Sequence, residues 1–157
     1  MSIIPVLGID PTKTFASPYS SGFRLGQLGA VIGEPTKLYK YVHSINTLGN
    51  MEAGDVCYYH KYVDRYEGSA VTFDVSFSDG IGAGIAQTTV PTLSHCWIQI
   101  RGPATLSTAL TAGSDGDPLT PAGAGDRTLD VAASATDHIC AIACDASDKE
   151  IICMFPY

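Results

Sequence analysis

Ala70-Val71-Thr72-Phe73-Asp74-Val75-Ser76-Phe77 opens the stretch that decides the fold. It continues through Asp79-Gly80 and Gly82-Ala83-Gly84-Ile85-Ala86 to Cys96-Trp97-Ile98-Gln99-Ile100-Arg101-Gly102. Val71, Phe73, Val75 and Phe77 alternate with Thr72, Asp74 and Ser76. Successive strand residues point to opposite faces, so this period of two predicts an antiparallel strand with the four apolar residues in the core and Thr72 outside. Asp79-Gly80 reads as a turn, the glycine-spaced segment as a second strand, and the tryptophan segment as a third in which Cys96, Ile98 and Ile100 share the core face.

The same texture extends in both directions. Leu38 to His43 is rich in β-formers, Leu48-Gly49-Asn50 and Ala53-Gly54-Asp55 carry turn chemistry, and Val56 to Val63 is a strand crowded with tyrosines. Downstream, the spacing predicts a short strand over Ala104–Leu110, a Gly- and Pro-rich loop, a strand near Thr128–Val131, and a terminal hairpin from Ile139–Cys144 and Glu150–Phe155. Residues 1–35 carry Pro5, Pro11, Pro18 and Pro35 with little periodicity, which predicts an extended N-terminal arm, packed on its own domain or reaching a neighbour. The expected architecture is all-β: one domain over residues 36–157, an antiparallel β-sandwich or partly open β-barrel of about eight to ten strands.

A chain of 157 residues fits one core. Its formal net charge of −7 and nine scattered basic residues oppose nucleic-acid binding, which draws on clustered Lys and Arg. Met1-Ser2-Ile3-Ile4-Pro5 lacks a basic n-region and is not read as a signal peptide. No apolar run is long enough for a transmembrane helix, so no membrane partner is expected. Cys57, Cys96, Cys140, Cys144 and Cys153 are odd in number, and free thiols are the expectation for a product of a reducing cytoplasm.

Four constellations invite chemistry, and each has a plainer reading. Cys57 and His60 have metal-ligand spacing but opposite strand phases. His138, Cys140 and Cys144 share a face with Ile142, which reads as small buried side chains. His95 faces away from Cys96, so it is no base for that thiol, and Cys96 reads as core. Gly80-Ile81-Gly82-Ala83-Gly84 lacks the βαβ setting of a phosphate loop and reads as strand glycines beneath a bulky neighbour, Trp97 being one candidate. Among the carboxylates Asp55, Asp64, Glu67, Asp74, Asp79, Asp115, Asp117 and Asp126, the Ser114-Asp115-Gly116-Asp117 run lacks the downstream glutamate of a calcium loop. No catalytic residue, cofactor or metal is expected.

Three separated pieces, in order, resemble small virion proteins of tailed bacteriophages of the capsid decoration type. They are Leu38-Tyr39-Lys40-Tyr41-Val42 with Ala53-Gly54-Asp55-Val56, then Gly82 to Ala86 with Cys96 to Gly102, then Ala112-Gly113-Ser114-Asp115-Gly116-Asp117-Pro118-Leu119. The resemblance implies a non-enzymatic protein, made in the bacterial host cytoplasm, that sits on the outer capsid surface of the virion and cements it. The major capsid protein is then the partner, and a homo-oligomer, first of all a trimer, the expected form. Ile3, Ile4, Val6, Leu7, Ile9 and Phe15 of the arm, with Tyr58 and Tyr62 of the domain, become the expected contact residues. Another structural virion part, such as a head fibre base, neck or tail protein, is the alternative. From a different class comes a carbohydrate-binding β-sandwich using Tyr58, Tyr62 and Trp97.

Overall fold

Strand β8 (His95–Thr105) is the longest element, and five strands close into a barrel through it in the computed structural model, which describes residues 7–62 and 69–157. The barrel order is β4 (Leu38–Ser44), β6 (Ala70–Thr72), β5 (Val56–His60), β7 (Ser78–Ala86) and β8, which returns to β4. Every pairing is antiparallel except β4 with β6, where His43 and Ser44 lie against Ala70 and Val71. The all-β expectation is met, as a closed mixed barrel rather than an open one.

Past residue 100, β8 leaves the barrel for a second, antiparallel layer. Its Arg101–Thr105 half pairs with β12 (Glu150–Met154), which pairs with β11 (Ala141–Asp145), then β9 (Pro118–Thr120) and β10 (Asp130–Val131). Gly102 makes this departure sterically feasible: its φ is +89°, and a Cβ there would lie 2.3 Å from the Thr36 carbonyl oxygen. The C-terminal hairpin is formed as expected. The strand expected over 104–110 is instead the end of β8.

Alternation in β8 sorts its side chains. Cys96, Ile98 and Ile100 point into the barrel core with Val42, Val56, Cys57, Tyr58, Val71, Phe73 and Ile85. Trp97 points outward, beside Tyr39 and Tyr41 of β4, and these three form a second buried cluster. An outer barrel wall of that composition cannot be left in water. Residues 7–31 cover it: β1 (Leu7–Gly8) pairs with β3 (Leu28–Ala30), β3 with β4, and β2 (Thr14–Phe15) with the start of β8. A single helical turn, α1 (Pro18–Ser21), links β2 to β3. Ile9, Phe15, Phe23, Leu25 and Val31 pack on the cluster. Within the described residues, then, this part of the N-terminal segment lies on its own domain. Ile3, Ile4 and Val6 fall outside the described residues.

The opening stretch departs from its period-two reading. β6 stops at Thr72, and Asp74 caps a 3-10 turn over Val75–Phe77 by accepting the Ser76 amide at 2.8 Å. A short acceptor side chain that satisfies the backbone locally competes with strand continuation, which is why the alternation breaks there. Phe73 stays in the core, but Phe77 is 38% exposed. Thr72 is buried rather than outside, its hydroxyl donating to Asn46 Oδ1 at 3.1 Å and accepting the Asp74 amide. Asp79-Gly80 is no turn: both lie within β7, with Gly80 at φ +76°.

Phe73→Ala should therefore cost about 3–5 kcal/mol in urea unfolding, as large core truncations do. Phe77→Ala should cost under about 1 kcal/mol, as surface changes do, and Thr72→Ala about 1–3 kcal/mol because it orphans buried polar atoms. The ranking Phe73, Thr72, Phe77 is the checkable outcome.

Candidate functional site

The carboxylates and tyrosines singled out in the sequence are mostly engaged in holding loops. Asp55 is buried where the loop before β5 approaches the barrel, and Arg127 forms a salt bridge to its Oδ2. Its Oδ1 accepts the Ser107 hydroxyl at 2.6 Å, and Oδ2 also accepts the Glu52 amide at 2.7 Å. Arg127 sits at φ +67° with its guanidinium carbon 3.8 Å from the centre of the Phe73 ring. Its backbone meets Phe73 and Val56 through hydrogen bonds. One ion pair therefore joins the loops around residues 52, 107 and 127. Asp117 accepts the Ser114 amide and Asp115 the Ala146 amide, so the would-be calcium run is a pair of turn locks.

Tyr58, expected to meet a partner, is fully buried. Its hydroxyl donates to the Thr128 carbonyl and accepts the Thr128 amide at 3.0 Å, and desolvation pushes its pKa well up. It is a core residue that pins the 125–128 loop, and β5 is simply covered on both faces at that point. Trp97 is buried as well, beneath Phe23 at 5.0 Å between ring centres. The glycine beneath Trp97 is Gly29, where a Cβ would meet its ring at 3.0 Å, whereas Gly82 faces Phe155 and Cys140.

The thiols divide the same way. Burial pushes Cys96 and Cys153 up to about 12, and raises Cys57 and Cys140 well above the ordinary thiol value too, so none is a ready nucleophile. Cys144 is the exception to the buried row expected on that strand. In β11 the inward positions are Ala141 and Ala143, and Cys144 is exposed. Lys40, also buried, donates from Nζ to the Tyr59 hydroxyl at 2.7 Å.

What remains for contact is surface. Ile32 is 93% exposed at a groove of about 450 Å³ that Gly8, Ile9, Phe15, Phe23 and Val31 also line, and Leu7, also in the N-terminal segment, is exposed. At the end of β5, Tyr62 is 72% exposed. His60 stacks on Phe77 with 5.7 Å between centres and 7° between planes, and meets Tyr62 edge-on at 6.0 Å. Lys61 lies 5.1 Å from the Tyr62 ring centre and donates to the Ser76 carbonyl. Of the expected contact residues, Leu7 and Tyr62 are exposed, Ile9 and Phe15 are half-buried against the aromatic wall, and Tyr58 is inaccessible. Ile32 and Phe77 were missed. Ile32 carries no periodic signal, and Phe77 was assigned to the wrong face by the broken alternation.

Among the described residues no helix is long and apolar enough to cross a membrane. Compared with protein-family models, curated proteins and solved structures, the chain gives no match.

Two outcomes check this partition. Native protein should react with a thiol reagent at Cys144 well before the other four cysteines, which should follow only on unfolding. Arg127→Ala should cost about 3–5 kcal/mol because it strands a buried carboxylate, and Asp55→Ala together with Arg127→Ala should cost less than the separate losses combined.

Proposed function

We propose that the protein is a structural virion component of a tailed bacteriophage, a decoration or cement protein that binds the outer capsid surface by contact and performs no catalysis. The observation that carries this reading is an internally tied barrel with exposed apolar side chains, Leu7 and Ile32 in the N-terminal segment and Tyr62 with His60 and Phe77 past the end of β5. Large exposed apolar side chains grouped on a folded domain mark contact sites, and tyrosine supplies contact area at low entropic cost. The pieces behind the phage resemblance fall on β4, β7 and β8, the barrel framework, and on the loop leading into β9.

In this reading the major capsid protein is the partner, and two separate surfaces let one molecule bridge neighbouring capsid subunits. Weak contacts repeated over fixed subunits add avidity without new chemistry. A homo-oligomer, with a trimer as first expectation, multiplies the effect. The mechanism differs in one respect from an arm that grips alone. Ile9 and Phe15 already cover Tyr41 and Trp97, so the grip falls to Leu7, Ile32 and the residues before them. The carbohydrate-binding alternative is weakened because Tyr58 and Trp97 are buried, which leaves Tyr62 alone of its three rings.

The test adds purified protein to capsids that lack it. Ile32→Asp and Tyr62→Ala, each folded by circular dichroism, should weaken binding by about tenfold or more, equivalent to about 1.4 kcal/mol. Deletion of residues 2–6 should also weaken it. Undiminished binding by all three variants, or no binding by the intact chain, would overturn the reading.

A further inference from the structure

Residues 10–25 form a strap across the outer barrel wall, held at both ends. Ile9 donates its amide to Ala30 at one end, and Gly26 donates to the Tyr41 carbonyl at the other. Between these anchors the strap meets the barrel through Phe15 and Phe23, whose rings lie edge-on to Tyr41 at 6.2 and 5.5 Å, and through the β2–β8 pairing of Thr14 with Cys96 and Phe15 with His95.

At that last position sits a pair of histidines. His43 of β4 lies directly across from His95 of β8, and their rings stack with 4.3 Å between centres and 2° between planes. His95 is only 4% exposed. Its ring hydrogen-bonds to the Phe15 backbone, and its Nδ1 is buried with no partner among the described residues. A neutral ring with the proton on Nε2 satisfies this arrangement. A second proton would create a buried donor without an acceptor and a charge stacked against another imidazole.

We propose that the His43–His95 pair is an acid-sensitive latch: below neutral pH, protonation at His95 releases the 10–25 strap and uncovers the Tyr41–Trp97 wall while the barrel stays folded. Among the described residues, the neighbours leave little to compensate the new charge. From β4 the pair faces Tyr41, whose ring stacks near His95 at 6.0 Å; from β8, Trp97 flanks it and Cys96 points to the other face. β2 offers the uncharged Thr14 and Phe15 after Lys13, and β6 meets this part of β4 at Ala70, with Ser69 before it accepting the His43 amide. Desolvation first, and then the His43 charge, hold His95 below its ordinary value of 6.5. The sign follows. The strapped state binds fewer protons than the open one, so the latch is fully closed above about 6.5 and loosens as pH falls toward the lowered value of His95.

Trp97 is the only tryptophan, which makes the opening readable. The experiment follows its emission maximum and acrylamide quenching from pH 8 to 5, with far-ultraviolet circular dichroism in parallel; intensity is avoided because a charged imidazole itself quenches indole. The intact chain should red-shift and become severalfold more quenchable below pH 6.5, with its β signal unchanged. His95→Gln, which keeps a donor toward Phe15 but does not titrate, should stay closed at pH 5. His43→Gln should open at a lower pH, because the neighbouring charge is gone. No opening of the intact chain by pH 5, opening that coincides with loss of the β signal, or the same midpoint in His43→Gln would each overturn the latch. Should His95→Gln fail to fold at pH 8, the His43→Gln midpoint alone decides.

Discussion

Strand β8 is buried on both faces along the part that closes the barrel, and the rest of the structure answers that constraint. Cys96, Ile98 and Ile100 need an interior, so β4, β5, β6 and β7 close around them. Trp97, with Tyr39 and Tyr41 alongside, needs a cover on the opposite face, and a barrel wall has nothing else to offer there. A single sheet buried on both sides requires a third layer. The chain supplies it from residues 7–31, in short pieces that pair with β4 and β8 at only a few positions each. Because fully burying large side chains is worth about 1.5–3 kcal/mol apiece, this thin cover is held by its ring contacts more than by its ladder bonds.

Close approach sets the second condition. Gly84 lies against the Gln99 carbonyl and Ile98, Gly82 against Phe155 and Cys140, and Gly29 against Ile9 and Trp97. Each places backbone where a side chain would otherwise stand, so the glycine-rich segment is a packing device, as its reading as strand glycines under bulky neighbours expects. The loops on the barrel are tied in turn by Asp55 with Arg127 and by the Tyr58 hydroxyl with Thr128. Asp55 and the Tyr58 hydroxyl are buried and have partners, with Arg127 partly exposed, the condition under which such anchors rigidify rather than destabilise.

The fold class was legible because strand signals and turn residues recur along the whole chain, and the phase of β8 was legible because three consecutive inward residues are apolar. The phase of 70–73 put Val71 and Phe73 in the core, but that of 74–77 was not legible, since Asp74 capping a turn looks, as a letter in a sequence, the same as an outward strand residue. The row from Cys140 to Cys144 was legible only in part: Cys140 is buried as read, but along β11 the alanines at 141 and 143 carry the core and Cys144 is left outside. Tyr58 and Trp97 show the limit for site residues. An aromatic ring is equally suited to a contact surface and to a core, and only the covering strap and the 125–128 loop, both remote in sequence, decide between them. The Asp55–Arg127 pair spans a separation that no local pattern exposes.

A layer tethered at both ends behaves differently from a terminal tail. When residues 10–25 lift, the anchors at Ile9 and Gly26 stay in place, so the loop closes again as an intramolecular step whose entropic cost grows only slowly with its length. β8 meanwhile keeps β4 and β7 as neighbours, and the inner core does not depend on the strap. Local opening is thus separable from global unfolding, as expected for a region with few buried contacts and a short ladder. The same arrangement places the aromatic wall under a cover while Leu7, Ile32 and Tyr62 stand exposed. In the proposed reading, contact and cover therefore use different parts of the N-terminal segment, and a change in one need not disable the other.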